Sequence, residues 1–157
     1  MSDSPAAPSR REFLKSSTLA AVGTGLVSHL AIAPFAHAAG DDTIKVGLVG
    51  CGGRGTGAAE QALSTKGNVK LVAVGNVFED HLNRAVGFLS NHFKSKPGRV
   101  EVPKENQFVG FDAYQKVIDS DIDLVILATP PGFRPTQFAA AVKAGRHVFM
   151  EKPVAVD

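Results

Sequence analysis

A chain of 157 residues is long enough for one domain with a hydrophobic core and too short for two large ones. Hydrophobic residues make up 44% and charged residues 20%, which excludes a disordered, collagen-like or coiled-coil chain. The formal net charge of +2 gives no electrostatic reason to expect a nucleic-acid partner. The single cysteine, Cys51, cannot form an internal disulfide or supply a zinc cluster, and the histidines have no spacing that suggests a metal site.

The first 38 residues have the three parts of an export signal. Arg10 and Arg11 form a basic start, residues 18–33 carry no charge, and small residues surround His37 at a candidate cleavage point. The uncharged stretch is short and weak for a membrane span, so no stable span is expected after cleavage. The run S-R-R-E-F-L-K resembles the twin-arginine pattern. Residues 1–38 are therefore interpreted as a twin-arginine signal peptide that directs the protein to the periplasm or another extracytoplasmic location. The alternatives are a retained N-terminal anchor and an amphipathic surface helix.

The remainder, residues 39–157, is predicted to be one α/β domain. The predicted strands are 43–49, 69–74, 108–109, 124–128 and 147–150, and the predicted helices are 58–63, 79–93, 112–118 and 133–144. The polar segment 94–107 is predicted to be a surface loop, and Asp112 is expected to cap the third helix. Five strands separated by helices favour right-handed βαβ units and a doubly wound parallel sheet, which is a Rossmann-like fold.

The first predicted strand runs into a glycine-rich loop. Glycines at 50, 52 and 55 have the spacing G-x-G-x-x-G between a strand and a helix, the context in which this motif binds a dinucleotide. Gly50 permits the tight turn, Gly52 lets the backbone approach a pyrophosphate, and Gly55 lets the helix pack closely. The phosphates then face N–H groups at a helix N-terminus. A glycine turn without a ligand and a methyltransferase loop for S-adenosylmethionine are the alternatives at this point.

The end of the second predicted strand departs from the usual pattern. About 20 residues after the glycines, an acid is expected to bind the adenosine ribose, and here the residue is Asn76. An amide can hydrogen-bond a ribose hydroxyl but lacks a negative charge that would repel a 2′-phosphate. The following residues, 77–80, offer no cation to hold such a phosphate. NAD is therefore favoured over NADP.

Two later segments carry a family resemblance. The turn A-T-P-P at residues 128–131 follows the fourth predicted strand, and A-G-R-H-V-F-M-E-K-P at residues 144–153 contains the fifth. With the glycine loop, these motifs resemble the N-terminal half of the Gfo/Idh/MocA oxidoreductases, the family of glucose–fructose oxidoreductase and inositol 2-dehydrogenase. The resemblance covers residues 43–157. It implies an enzyme that moves a hydride between NAD or NADP and a sugar or cyclitol hydroxyl carbon.

The resemblance also implies site residues. The glycine loop binds the pyrophosphate, the T-P turn lies beside the dinucleotide, and the E-K-P lysine stands at the nicotinamide and the substrate. The candidate cofactor-binding residues are Gly50, Gly52, Gly53, Arg54, Gly55, Asn76, Thr129, Pro130, Glu151, Lys152 and Pro153. Lys152 is also the candidate catalytic residue, because an ammonium group lowers the pKa of an alcohol and can relay its proton. Arg134 is either a polar neighbour of the T-P turn or a solvated residue at a helix start.

The chain ends at Asp157, where the family continues into a second α/β domain that supplies the substrate pocket. The C-terminal substrate domain is therefore interpreted as missing, and two interpretations compete. The chain is either a truncated part of an enzyme, inactive alone, or a stand-alone, non-catalytic module that binds a dinucleotide or a partner. The first is favoured, because a doubly wound sheet buries both faces and an end here leaves the sheet near Val148 uncovered. An oligomer is compatible with the sequence.

Overall fold

The computed structural model describes residues 42–156, so the predicted signal peptide lies outside the described residues. Five strands form one parallel sheet in the order β3-β2-β1-β4-β5. The strands are β1 Ile44–Val49, β2 Val69–Asn76, β3 Gln107–Val109, β4 Leu124–Leu127 and β5 His147–Met150. The helices are α1 Gly53–Leu63, α2 Glu79–His92, α3 Ala113–Asp119 and α4 Arg134–Lys143, with short 3₁₀ turns at Lys104–Asn106 and Pro131–Phe133. The predicted doubly wound Rossmann-like fold is confirmed.

The sheet has a hydrophobic core on each face. Leu63 of α1 and Leu82 and Leu89 of α2 pack in one core, with strand residues that include Leu48 and Leu71. On the other face, α3 and α4 pack against β4 in a second core that contains Val117, Ile118, Val125, Leu127 and Ala141. Because helices cover both faces of the sheet, the inner strands are buried on both sides, which explains why β4 is apolar at every position.

Two features of the helices differ from the sequence prediction by more than a one-residue shift of an end. Helix α1 begins at Gly53 rather than at residue 58. Glycine has a low helix propensity, so the sequence prediction starts the helix after the glycines, whereas the structure includes Gly53 and Gly55 in its first turn. Asp112 occupies the N-cap position of α3, but its side chain makes no capping hydrogen bond. Its carboxylate instead lies 2.9 Å from the Nζ atom of Lys116. The N-cap position predicted for Asp112 is confirmed, but its side chain forms an ion pair one turn along the helix instead of a capping hydrogen bond.

The edge of the sheet at β5 is half covered. Val148 and Met150 are partly buried against the core beneath α4, whereas Phe149, which points to the opposite face, is 46% exposed. The uncovered face of the sheet predicted near Val148 is therefore the face on which the side chain of Phe149 lies. Side chains alternate along a strand, so the helix that covers Val148 cannot also cover Phe149.

The glycine loop is held by close backbone contacts. Gly50 has a φ of +97°, and a Cβ atom placed on it would lie 2.8 Å from the backbone nitrogen of Thr129. A Cβ atom on Gly55 would lie 1.8 Å from the carbonyl oxygen of Gly50. Only glycine fits at these two positions, and their contacts seat the start of α1 directly on the end of β1.

Two glycines of α1 provide a matched stability test. Gly55→Ala should destabilise the fold by about 1–3 kcal/mol or more, since the methyl group collides with backbone that cannot move aside. Gly57→Ala, where no atom lies within 4 Å of the added Cβ, should stabilise it by about 0.5–1 kcal/mol. Urea unfolding of both variants measures the difference. Equal stability of the two variants contradicts the close packing at Gly55.

Candidate functional site: a cleft at the carboxyl ends of the strands

A cleft of about 590 Å³ opens at the carboxyl ends of β1, β2 and β4. It lies where the chain leaves β1 toward α1 on one face and leaves β4 toward α4 on the other. This is the topological switch point, at which open α/β sheets bind their ligands. Five of the candidate cofactor-binding residues line it, namely Gly50, Gly52, Asn76, Thr129 and Pro130.

The N-terminus of α1 at the edge of this cleft is open. Gly52 is the N-cap residue, no side chain caps the helix, and its first turn contains no acidic residue. A Cβ atom on Gly52 or Gly53 would meet nothing within 4 Å, so a ligand can approach the backbone here. The first N–H groups of a helix have no intrahelical acceptor, and the helix dipole favours an anion beside them. The geometry therefore fits a pyrophosphate group.

Asn76 ties the end of β2 to the glycine loop. Its Oδ1 atom accepts a hydrogen bond of 3.0 Å from the backbone N–H of Cys51, and its Nδ2 atom donates one of 2.9 Å to the carbonyl of Phe78. This pair of bonds needs one acceptor and one donor on the same side chain, which an amide has and a carboxylate lacks. Asn76 therefore shapes the loop in addition to lining the cleft.

The thiol of Cys51 lies beneath the same loop. Its Sγ atom is 3.6 Å from the carbonyl oxygen of Gly75, and the residue is 4% exposed. Burial raises the pKa of the Cys51 thiol to about 12. The thiol therefore stays protonated at neutral pH, and Cys51 is a small buried residue rather than a redox group.

Arg134 joins the T-P turn to the E-K-P segment, residues 151–153. Its Nε atom donates to the carbonyl of Thr129 at 2.7 Å, and its Nη1 atom donates to the carbonyls of Glu151 and Pro153. The residue is only 5% exposed, so the interpretation of Arg134 as a solvated residue is wrong. Three backbone carbonyls compensate its charge, and they lie in two segments that are distant in sequence.

Gln137 is a polar neighbour that the sequence analysis missed. It is 7% exposed, and its Oε1 atom accepts a 2.6 Å hydrogen bond from the hydroxyl of Thr129. With Arg134 and Ala141 it forms the buried face of α4. The spacing of three and four residues was the available signal, because it places two polar side chains on the same face as the buried alanine.

Three phenylalanines surround the cleft, and the sequence analysis did not single them out. Phe78, Phe111 and Phe133 line the cleft and are 63%, 73% and 49% exposed. The ring centroids of Phe111 and Phe133 are 6.4 Å apart. In the structure each residue lies in the connection that follows a strand, at the edge where parallel sheets bind their ligands. Exposed aromatic rings beside a concave site favour a flat, partly apolar ligand group.

The E-K-P segment follows β5 and lies beside the cleft rather than in its wall. The backbone N–H of Glu151 donates to the carbonyl of Leu127 at 3.1 Å, and its carboxylate pairs with the guanidinium of Arg54. The hydrogen bond from Arg54 holds the pKa of the Glu151 carboxyl below its usual range, although partial burial acts against this shift. Lys152 is exposed next to this pair.

Residues 42–156 hold no cluster of three or more His, Cys, Asp or Glu side chains that could bind a metal ion. Within the same span, no helix combines the length and apolarity that a membrane crossing requires.

Residues 44–157 match the Gfo/Idh/MocA family, described as an oxidoreductase family with an NAD-binding Rossmann fold. The chain belongs to this family. The match covers the whole described domain, from β1 to the E-K-P segment, and it excludes the methyltransferase alternative. The chain is an NAD-binding Rossmann domain of this oxidoreductase family.

Individual relatives add detail. The chain is 29% identical, over 152 residues, to a glycosyl hydrolase family 109 protein of Solibacter usitatus (strain Ellin6076), covering 94% of the chain and 33% of the relative. Among solved structures, it is similar to scyllo-inositol dehydrogenase from Lactobacillus casei with bound NAD(H) and scyllo-inositol, at 32% identity and a TM-score of 0.57. That similarity covers 73% of this chain and 29% of the other. The WlbA dehydrogenase from Bordetella pertussis in complex with NADH and UDP-GlcNAcA is 26% identical with a TM-score of 0.55, over 72% of this chain and 30% of the other. The chain thus spans about a third of the length of these relatives.

The Arg54–Glu151 pair predicts an acid-dependent loss of stability. The folded-state pKa of Glu151 is lowered, so the pair stabilises the fold above the ordinary glutamate pKa of about 4.3. This stabilisation disappears as the pH falls through the lowered pKa. Arg54→Gln should therefore be less stable than wild type at pH 7, and the gap should narrow as the pH falls below the ordinary glutamate pKa toward the lowered one.

Urea unfolding from pH 3 to pH 7 measures this gap. Lys70→Gln is the control, because it removes a cation from an ion pair with Glu101, which is half exposed. A stability gap for Arg54→Gln that stays constant across the pH range contradicts the assignment.

Proposed function

We propose that this chain binds a nicotinamide dinucleotide in the cleft at the switch point, with NAD preferred over NADP. It does so as part of an oxidoreductase that acts on a sugar or cyclitol hydroxyl. The observation that carries the proposal is the open N-terminus of α1, where the backbone beside Gly52 is accessible and faces the cleft. The solved relatives that contain NAD(H) or NADH support this use of the cleft.

In this proposal the dinucleotide follows the carboxyl edge of the sheet. Gly52, Gly53 and Arg54 bind the pyrophosphate through the first turn of α1, since that turn has no acidic residue and no side-chain cap. Asn76 meets the adenosine ribose, because it ends β2 and lines the cleft. The exposed Phe111 ring supplies an apolar surface for the adenine base.

The preference for NAD has an electrostatic basis. Residues 77–80, which follow Asn76, contain no cation and include Glu79 and Asp80. The carboxylate of Asp80 is paired with Arg84 at 2.8 Å, so the repulsion of a 2′-phosphate would come mainly from Glu79. The 2′-hydroxyl of NAD carries no charge and is not repelled by a carboxylate.

Lys152 is proposed as the catalytic residue. A bound nicotinamide would supply the hydride acceptor or donor, and the exposed side chain of Lys152 would stabilise the developing alkoxide and relay the hydroxyl proton to solvent. Arg134 holds the carbonyls of Glu151 and Pro153 on either side of Lys152. The lysine thus extends from a fixed stretch of backbone beside the cofactor cleft.

The substrate class is proposed from the relatives. The solved scyllo-inositol dehydrogenase contains a cyclitol, and the Bordetella enzyme contains a nucleotide sugar. We further propose that walls of the substrate pocket come from a further domain, since the match with this chain covers only 29% and 30% of the length of these relatives. In the absence of such a domain, the 157 residues bind the dinucleotide without turnover, because hydride transfer also needs a positioned substrate carbon.

A second candidate activity is glycoside hydrolysis. It is favoured by the glycosyl hydrolase family 109 relatives, whose matches extend over as much as 94% of the chain. Hydrolysis that depends on a nicotinamide cofactor is known among glycosidases. Net formation of NADH from a free cyclitol supports the dehydrogenase, whereas release of sugar from a glycoside without net NADH supports the hydrolase.

Calorimetric titration of the full chain with NADH tests the binding site. Wild type should bind, and Gly52→Val should abolish binding while the fold is kept, because the new side chain enters open space where the pyrophosphate must approach. Gly87→Val on α2, which also meets no atom within 4 Å, is the matched control and should bind as wild type does. Normal binding by Gly52→Val overturns the proposed site.

Asn76→Asp tests the ribose position. A carboxylate grips the 2′-hydroxyl and repels a 2′-phosphate, so the affinity ratio of NADH to NADPH should rise about tenfold. The lost donor to Phe78 weakens the loop for both ligands equally, so the ratio is the informative quantity. A shift of the ratio toward NADPH shows that the ribose lies elsewhere.

We also propose that residues 1–38 direct twin-arginine export to the periplasm, with cleavage after Ala38. The complete S-R-R-E-F-L-K pattern supports this proposal. Replacing Arg10 and Arg11 together by lysine should stop export, as measured by cell fractionation, whereas Lys15→Arg should have no effect. Unchanged delivery of the double variant refutes the route.

A further inference from the structure

Two arginines reach the E-K-P segment from opposite faces of the sheet. Arg134 lies at the start of α4 and binds the carbonyl of Glu151, whereas Arg54 lies in the first turn of α1 and pairs with the carboxylate of Glu151. In the strand order β1-β4-β5, the side chain of Arg54 must cross the end of β4 to reach a residue that follows β5. The Arg54–Glu151 pair therefore spans the carboxyl edge at the switch point.

Arg54 has hydrogen-bonding capacity left over in this arrangement. Its side chain is 56% exposed, and one guanidinium nitrogen, Nη2, contacts Glu151. A guanidinium group has five N–H donors. Arg54 also belongs to the helix turn whose backbone N–H groups fit a pyrophosphate, so its remaining donors are within a side-chain length of a phosphate bound there.

The burial of Glu151 decides which partner Arg54 keeps. The Glu151 side chain is 9% exposed, and a buried carboxylate that loses its cation is strongly destabilising. A phosphate in solvent is hydrated, so it has no comparable cost when it lacks a paired cation. It can accept hydrogen bonds from the Arg54 N–H groups that Glu151 leaves unused. The pyrophosphate therefore adds to the pair instead of displacing it, and Arg54 contacts both anions at once.

We propose that Arg54 is a positioning residue that couples occupation of the pyrophosphate subsite to the position of the E-K-P segment. This inference rests on the proposed function and extends it. Arg134 fixes the backbone of the segment from α4, and Arg54 restrains the carboxylate of Glu151 from α1. An anion bound to Arg54 limits its motion, and the restraint passes through Glu151 to Lys152, the next residue.

Amide hydrogen exchange with ADP as the probe tests this coupling on the full chain. ADP carries the adenosine and the pyrophosphate but has no nicotinamide that could cover residues 147–156 directly. In wild type, saturating ADP should slow exchange in residues 147–156 by about threefold or more, including the Glu151 N–H that bonds to Leu127.

Two variants separate coupling from binding. Arg54→Gln removes the charge, and Arg54→Lys keeps a charge at the pyrophosphate but lacks the planar group that contacts two anions together. Both variants should bind ADP at saturating concentration, shown by calorimetry, without slower exchange in residues 147–156. Lys70→Gln, which lies near the amino end of β2, should respond to ADP as wild type does.

Each outcome decides a separate claim. Slowed exchange that persists in both Arg54 variants overturns the coupling, as does wild type that binds ADP and NADH without slower exchange in this segment. Either result leaves the proposed dinucleotide site intact. Wild type that binds neither ADP nor NADH overturns the proposed function, and the coupling fails with it.

Discussion

The close approach of the backbone at the glycine loop is the contact on which the rest of the site depends. The carbonyl oxygen of Gly50 lies where a side chain at position 55 would begin, and Gly50 itself abuts the end of β4. These contacts fix the first turn of α1 at the carboxyl edge of the sheet. An anion can approach that turn because Gly52 adds no side chain to the open space beside it. Packing and ligand access thus depend on different glycines of one motif.

Buried polar groups connect this loop to the other half of the edge. Arg134 is buried and compensated by carbonyls of the T-P turn and the E-K-P segment. Gln137 holds the hydroxyl of Thr129 from the next turn of α4. A buried charge without such partners would be strongly unfavourable, so the two segments keep their relative position as long as Arg134 is satisfied. The position of Lys152 therefore depends on the hydrogen bonds from Arg134 to the carbonyls of Glu151 and Pro153.

Family membership gives this geometry its functional meaning. The family is described by an NAD-binding Rossmann fold, and the match with the solved scyllo-inositol dehydrogenase covers 29% of that chain. The cleft joins three kinds of contact along one edge, which are an open helix N-terminus, a hydrogen-bonding amide at Asn76 and exposed aromatic rings. In the proposed function, these contacts serve the phosphates, a ribose and a flat base, respectively.

The sequence by itself determined the fold class, the order of the elements and the motifs at the switch point. Strand and helix periods are local, and so is the glycine spacing, so they can be read from neighbouring residues. The apolar run of β4 and the helical spacing of α2 are examples. The position of Asn76 at the end of β2 was also predicted, because the distance from the glycine loop is set by one βαβ unit.

Only the tertiary structure decided which side chains meet. Arg134 and Glu151 are 17 residues apart, and Arg54 and Glu151 are separated by almost the whole domain. The hydrogen bond that Asn76 accepts from Cys51 likewise depends on a loop from another strand. A parallel sheet brings the carboxyl ends of distant strands to one edge, so partners there have no fixed spacing in the chain. Their pairing follows from strand order and register, which a local pattern does not encode.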